Sequence, residues 1–206
     1  GLPGEATLHA ATEAVPSVPD RLKVRLLTAL RERGDSAARP AVLAMLDHSH
    51  DAVRLAALRT IETIGAPEDT GRLLEIALAG DSEVSEAAGR ALARLPGHDV
   101  SRRLAEAFRR ADDERQPAIC GLLAARNDPA DLPLFRTWIR HPSPEVARSA
   151  GQALGRLGGA SDLDLLFGMP GSPDFPGTSR PAVEAAAMSI AERLPADEAA
   201  RRIRDG

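Results

Sequence analysis

The chain has 206 residues, a formal net charge of −4, 43% hydrophobic residues and only 2% aromatic ones, with no Tyr. Apolar content drawn from Ala, Leu, Val and Ile suits helices packed through small side chains and argues against the aromatic-rich strands of a sandwich or barrel. The acid excess disfavours a dedicated nucleic-acid binder, one cysteine forbids an internal disulfide, and no apolar run is long enough to span a bilayer.

Six segments share one register. Asp20 to Gly34 (DRLKVRLLTALRERG) is followed 31 residues later by Asp51 to Gly65 (DAVRLAALRTIETIG), and further steps of 31 reach Ser82, Asp113 and Pro144; the last copy starts at Pro181 after 37 residues. The aligned columns are Leu22, Val53, Val84, Arg115, Val146, Val183, then Leu26, Ala57, Ala88, Ile119, Ala150, Ala187, then Leu30, Ile61, Leu92, Leu123, Leu154 and Ile190 or Ala191. Positions i, i+4 and i+8 make one stripe of an α-helix, and Ala in the middle lets a neighbouring helix come close. Helices are therefore predicted near 20–33, 51–64, 82–95, 113–126, 144–157 and 181–194. Gly34, Gly65, Pro96, Asn127, Gly158 and Pro195 stop them, by a left-handed C-terminal residue or by breaking the helix. Ser143-Pro144-Glu145 reads as an N-cap, a first-turn Pro and an acid at the positive helix end. Arg115 and Pro117 make the fourth copy the weakest, with a helix starting a residue or two late.

A second helix set lies between these. Its column is Ala11, Val42, Leu73, Leu104, Phe135, Leu166 and Ile203, followed three residues on by Ala14, Met45, Ile76, Ala107, Trp138 and Met169. Asp128-Pro129 and Ser161-Asp162 read as starts of two of them. The total is seven helices of this set and six of the other. Residues 168–180 (GMPGSPDFPGTSR) carry six extra residues and read as a loop containing Phe175.

The pattern Asp-x-Val-Arg-x-x-Ala followed by Leu-x-x-Ile-Gly, at Asp51 to Gly65, resembles the HEAT-like repeat, in the short bacterial variety found in phycobilin lyases. The resemblance covers about Glu5 to Arg204. It implies an all-α, right-handed α-α superhelix, a single solenoid over 1–206 with about six helix pairs plus a terminal helix, each pair stabilised by stacking. It implies no common ligand. Arg54 is replaced by Lys23, Ser85, Gln116, Ala147 and Glu184 in the other copies, so the polar ladder that runs between such repeats is expected to lapse beyond the first two copies.

The chemistry-bearing residues read mostly as structural. Cys120 shares a column with Leu27, Leu58, Gly89, Gly151 and Met188, so it reads as a buried small hydrophobe; Trp138 reads as core, with partial exposure as the condition for any other role. His48-Ser49-His50, flanked by Asp47 and Asp51, has metal-like proximity but sits in a turn where polar residues are expected, and a metal site needs three or four converging ligands. No His-Glu pair, phosphate loop or catalytic triad order is present. No catalytic residue, cofactor or metal is therefore expected.

What remains is a surface row on one face of the six helices: Thr28, Arg59, Arg90, Gly121, Gln152, Ser189 and Glu32, Thr63, Arg94, Ala125, Arg156, Arg193, edged by Glu83, Glu114 and Glu145. A solvated face and a groove for an acidic or extended protein segment both fit it. The function read from this is a non-catalytic protein-interaction scaffold binding through Arg59, Arg90, Arg94, Gln152, Arg156 and Arg193, with Gly121 and Ala125 as the apolar anchor. The alternatives are a lyase-type chromophore chaperone or enzyme accessory, and phosphate binding by the Arg row. A monomer in the cytoplasm is expected. Gly1 in place of Met suggests a trimmed or processed piece of a larger protein.

Overall fold

The computed structural model describes residue 15, residues 17–169 and residues 177–195. Within them are eleven α-helices and no strand: α1 (Asp20–Arg33), α2 (Arg39–Ala44), α3 (Asp51–Ile64), α4 (Thr70–Ala77), α5 (Glu83–Arg94), α6 (His98–Arg110), α7 (Gln116–Arg126), α8 (Leu132–Trp138), α9 (Pro144–Leu157), α10 (Ala160–Gly168) and α11 (Arg180–Arg193). The fold is of the α-solenoid class. The odd-numbered helices α1, α3, α5, α7, α9 and α11 are the six repeated segments, and the even-numbered ones form the second set. That set's N-terminal member with Ala11 and Ala14, its C-terminal member with Ile203, and Phe175 in the inserted loop lie outside the described residues. No described helix is long and apolar enough to cross a membrane.

The helices fall into two compact units, residues 1–100 and 101–206. In the first, α3 packs between α1 and α5; in the second, α9 packs between α7 and α11. The periodic columns explain why. Val53, Ala57 and Ile61 of α3, Ala88 and Leu92 of α5, and Val146, Ala150 and Leu154 of α9 are essentially sealed from solvent. In the last copy Ile190, rather than Ala191, completes the stripe.

Three expectations are corrected. In α1 the buried residues are Lys23, Leu27 and Leu30, whereas Leu22 is exposed and Leu26 half-buried, so the first two columns shift to the next residue while Leu30 keeps its place. In the fourth copy α7 starts only at Gln116, with Pro117 in its first turn; Arg115 is its N-cap, outside the helix and exposed. Of the stop residues, Gly34 and Asn127 are left-handed (φ 66° and 53°), but Gly65 and Gly158 are extended. Close packing is what those two serve. A Cβ on Gly65 would lie 2.5 Å from Leu95 Cδ2, and one on Gly158 would lie 3.0 Å from Ile190 Cδ1.

Of the even-numbered helices, α2, α4, α8 and α10 are short while α6 is not, and 3₁₀ turns precede α2, α4 and α8. Ser143 caps α9 through Val146 N, as expected, but the cap of α10 is Gly159, whose N–H donates to the Asp162 side chain at 3.0 Å. Asp69 does the same for Ala66 N at 2.9 Å and also accepts a two-pronged contact from Arg39 (2.7–3.1 Å). Arg136 Nε donates to Asp162 at 2.6 Å, and Ser101 Oγ to Asp131 at 2.9 Å. Asp69, Asp131 and Asp162 are all buried. A polar ladder thus exists, built on aspartates at the starts of even-numbered helices rather than on the Arg54 column.

Candidate functional site

The surface row is present, and its arginines are engaged. Arg94 of α5 reaches Glu62 in the last turn of α3 (3.3 Å), Arg156 of α9 donates to Ala124 O in the last turn of α7 (3.0 Å), and Arg193 of α11 donates to Gly158 O just past α9 (2.6 Å). Each therefore reaches back to the negative end of the preceding odd-numbered helix, where a guanidinium is favoured by the carbonyl dipoles. Arg59 faces Glu83 at 3.9 Å and Arg90 faces Glu86 one turn away at 3.8 Å; all four groups are exposed, so these pairs are weak. The sequence reads the row as a solvated face or a groove, without these contacts. Its 31-residue spacing lets one residue's arginine find the previous copy's helix end, and that second consequence of the period was missed.

Two open clefts lie on this face of the second unit. One, of about 550 Å³, runs between α9 and α11 over Gly151, Gly155, Ala182 and Ala186, with Arg148 and Arg156 on it. The other, of about 460 Å³, lies between α7 and α9 over Gly121, Ala124 and Ala125. Gln152 and Arg156 line both, and no Asp or Glu is among the described residues lining either. A Cβ on Gly121 would meet nothing within 4 Å, so the floor there is open. A Cβ on Gly151 would sit 2.7 Å from Ala182 O, which shows how closely α9 and α11 approach.

The reactive side chains behave differently from a catalytic set. Cys120 is sealed, its thiol pointing at Val146 O (3.7 Å), and burial pushes its pKa up to about 12, so the thiolate is not accessible at neutral pH. Trp138 is buried against Phe108 (ring centroids 4.0 Å apart, stacked) and Phe135. The partial exposure that any ligand role would need is missing. Met188, in the Cys120 column, is exposed. Of the acids beside the two histidines, Asp47 pairs with Arg72 and Asp51 with Arg54. His48 and His50 instead converge on Asp20, at the start of α1.

A family model described as HEAT repeats matches residues 9–93 and 100–191. The chain belongs to the HEAT repeat family. Among solved structures it is similar to an engineered protein (17% identity, 90% of this chain and 97% of that one, TM-score 0.42) and to a designed armadillo repeat protein (14%, 89% and 99%, TM-score 0.43). It is also similar to the complex of CpcE and CpcF of phycocyanin lyase from a Nostoc species (17%, 88% and 98%, TM-score 0.36). No curated protein matches it. As a HEAT repeat protein, the chain has a framework suited to protein interaction, in which the repeated residues build the stack and the variable ones between them define a surface.

Proposed function

We propose that this HEAT repeat chain is a non-catalytic scaffold that holds an extended, carboxylate-bearing protein segment along the α7, α9 and α11 face of its second unit. The observation that carries this is the pair of small-residue clefts sharing Gln152 and Arg156, in a chain whose net charge is −4 but whose clefts are lined by arginine and no acid. Gly121 and Ala125 leave the backbone of a guest room to approach, and Arg148 and Arg156 supply fork-shaped donors for a carboxylate. Affinity comes mainly from apolar anchoring over Gly121 and Ala125, because exposed ion pairs add at most about 1 kcal/mol each. Arg59, Arg90 and Arg94, paired with Glu83, Glu86 and Glu62, contribute a neutralised flank. The sealed Cys120 speaks against thiol attachment of a chromophore. The reading carries with it a monomer working in the cytoplasm.

The test is a Gly121→Glu, Gln152→Glu variant, which fills the smaller cleft and reverses the charge preference without touching a buried column. A partner recovered with the wild-type chain and then measured in isolation should lose at least tenfold in affinity (about 1.4 kcal/mol), with an unchanged melting temperature. Unchanged affinity removes this face from consideration.

A further inference from the structure

We propose that Asp20, His48 and His50 form a binding site for a divalent transition-metal ion of the zinc class, the ion taking the place of the Lys23 ammonium. The inference concerns the first unit and is independent of the cleft reading.

The backbone brings the donors together. His48 and His50 both have extended geometry (φ −65°, ψ 145° and φ −98°, ψ 125°) in the turn before α3. Residues two apart in an extended stretch point to the same side, and the two rings stand 5.6 Å apart. His50 occupies the N-cap position of α3 but makes no capping hydrogen bond with its side chain; its Nδ1 contacts Asp20 Oδ2 instead. Asp20 holds the first position of α1, 31 residues before Asp51, so the repeat itself sets one copy's helix start against the next copy's turn.

The donor set fits a borderline ion. Two imidazoles and a carboxylate are ligands of zinc, cobalt and nickel, and an ion bound by three protein groups keeps an open position for water. Donors about 2.0–2.1 Å from a tetrahedral ion lie about 3.3–3.4 Å from each other. His48 Nε2 and Asp20 Oδ1 are already 3.3 Å apart, and all three donor atoms lie within 4.8 Å of one another. The His50 side chain, 66% exposed, is free to close the remaining gap, while His48, 17% exposed, is fixed.

The position already holds a cation. Lys23 Nζ lies 3.0 Å from Asp20 Oδ1 and 3.1 Å from His48 Nε2. His48 Nδ1 accepts the His50 amide N–H at 3.2 Å, while the Lys23 ammonium beside Nε2 also calls for an acceptor, and a neutral imidazole has only one. Metal binding at Nε2 fixes the ring proton on Nδ1, gives up the amide contact and swings Lys23 into solvent. These two costs weaken the affinity. They also give the proposal a signature that a chance cluster of surface histidines lacks, namely that removing a positive side chain strengthens binding.

Zinc chloride titrated calorimetrically into the full metal-free chain should bind at one equivalent. Cobalt should show the visible bands of a tetrahedral nitrogen–oxygen site. His50→Asn, at an exposed N-cap where Asn is favourable, should weaken zinc at least about tenfold with an unchanged melting curve. Lys23→Gln should tighten it by about tenfold, through loss of a competing charge. Zinc binding by wild type that survives His50→Asn, or an absence of one-equivalent binding to wild type, would overturn the site. Unchanged affinity in Lys23→Gln would overturn the exchange of one cation for another.

Discussion

The α3–α5 pair of the first unit and the α9–α11 pair of the second are written on the same template, yet they solve close packing differently. α3 and α5 pack together with Ala57 and Ala88 fully buried, and their outer arginines are balanced by Glu62, Glu83 and Glu86. α9 and α11 meet through Gly151 and Gly155, whose missing side chains let Ala182 and Ser189 come into contact range; Ser189 Oγ donates to Gly155 O at 3.3 Å. Their arginines bind carbonyls rather than carboxylates, so the positive charge is used without being cancelled. One period therefore supports two surfaces: an alanine seam with a neutral flank, and a glycine seam with open clefts and net positive lining.

The largest expected effect tests what the two seams share. Leu92 and Leu154 occupy the same column and are both sealed. Leu92→Ala and Leu154→Ala should each cost about 2–5 kcal/mol in a chemical melt; a cost confined to one of them would mean the units do not pack alike. Next comes the seam itself. Gly151→Ala and Ala88→Leu should each lose about 1–3 kcal/mol by overpacking. Gly121→Ala, also helical but facing open space, should instead gain up to about 1 kcal/mol. If Gly151→Ala also stabilised, the close approach of α9 and α11 would be wrong.

The aspartate ladder gives the pH test. Burial raises the pKa of Asp162, but hydrogen bonds from Arg136 and the Gly159 amide outweigh it and hold the carboxyl below its ordinary value of 3.8. A lowered folded pKa means that the stabilisation is present above the unfolded value and fades as pH falls through the folded one. Asp162→Asn should therefore lower stability by about 1–3 kcal/mol at neutral pH and flatten the acid limb of a stability-against-pH curve. An acid limb identical to wild type would remove Asp162 from it. The smallest effect separates the two flanks. Arg94→Ala should change stability by at most about 1 kcal/mol and by less in high salt, whereas the loss from Arg156→Ala, bound to a carbonyl, should persist in salt. Equal salt sensitivity would erase the distinction.

Much of this fold was legible because the stack is one-dimensional. A residue that recurs every 31 positions must face the same neighbour each time, so Val53, Ala57 and Ile61 predict their equivalents in α5 and α9. What escaped was whatever depends on two copies at once. Asp69, Asp131 and Asp162 stand two periods and then one period apart, a signal present in the sequence but interrupted by Val100. The arginine that meets Asp69 comes 30 residues earlier and the one that meets Asp162 comes 26 earlier, so no single column shows the pairing. The acid that joins His48 and His50 was missed for the same reason: Asp47 and Asp51 are nearer in sequence, but each has an arginine of its own, and Asp20 arrives only through stacking. The glycine seam reads in sequence as two weak helix residues; only the contacts of α11 reveal why no side chain fits there.

The sealed thiol of Cys120 has a use of its own. Because it lies in α7 and points at the backbone of α9, a reagent reaches it only when those two helices part. As the chain's lone cysteine, it gives one signal with no background. The rate at which a thiol probe labels the native protein is thus an opening clock for the α7–α9 seam, running without any introduced cysteine, and it should slow when a guest occupies the cleft between those helices.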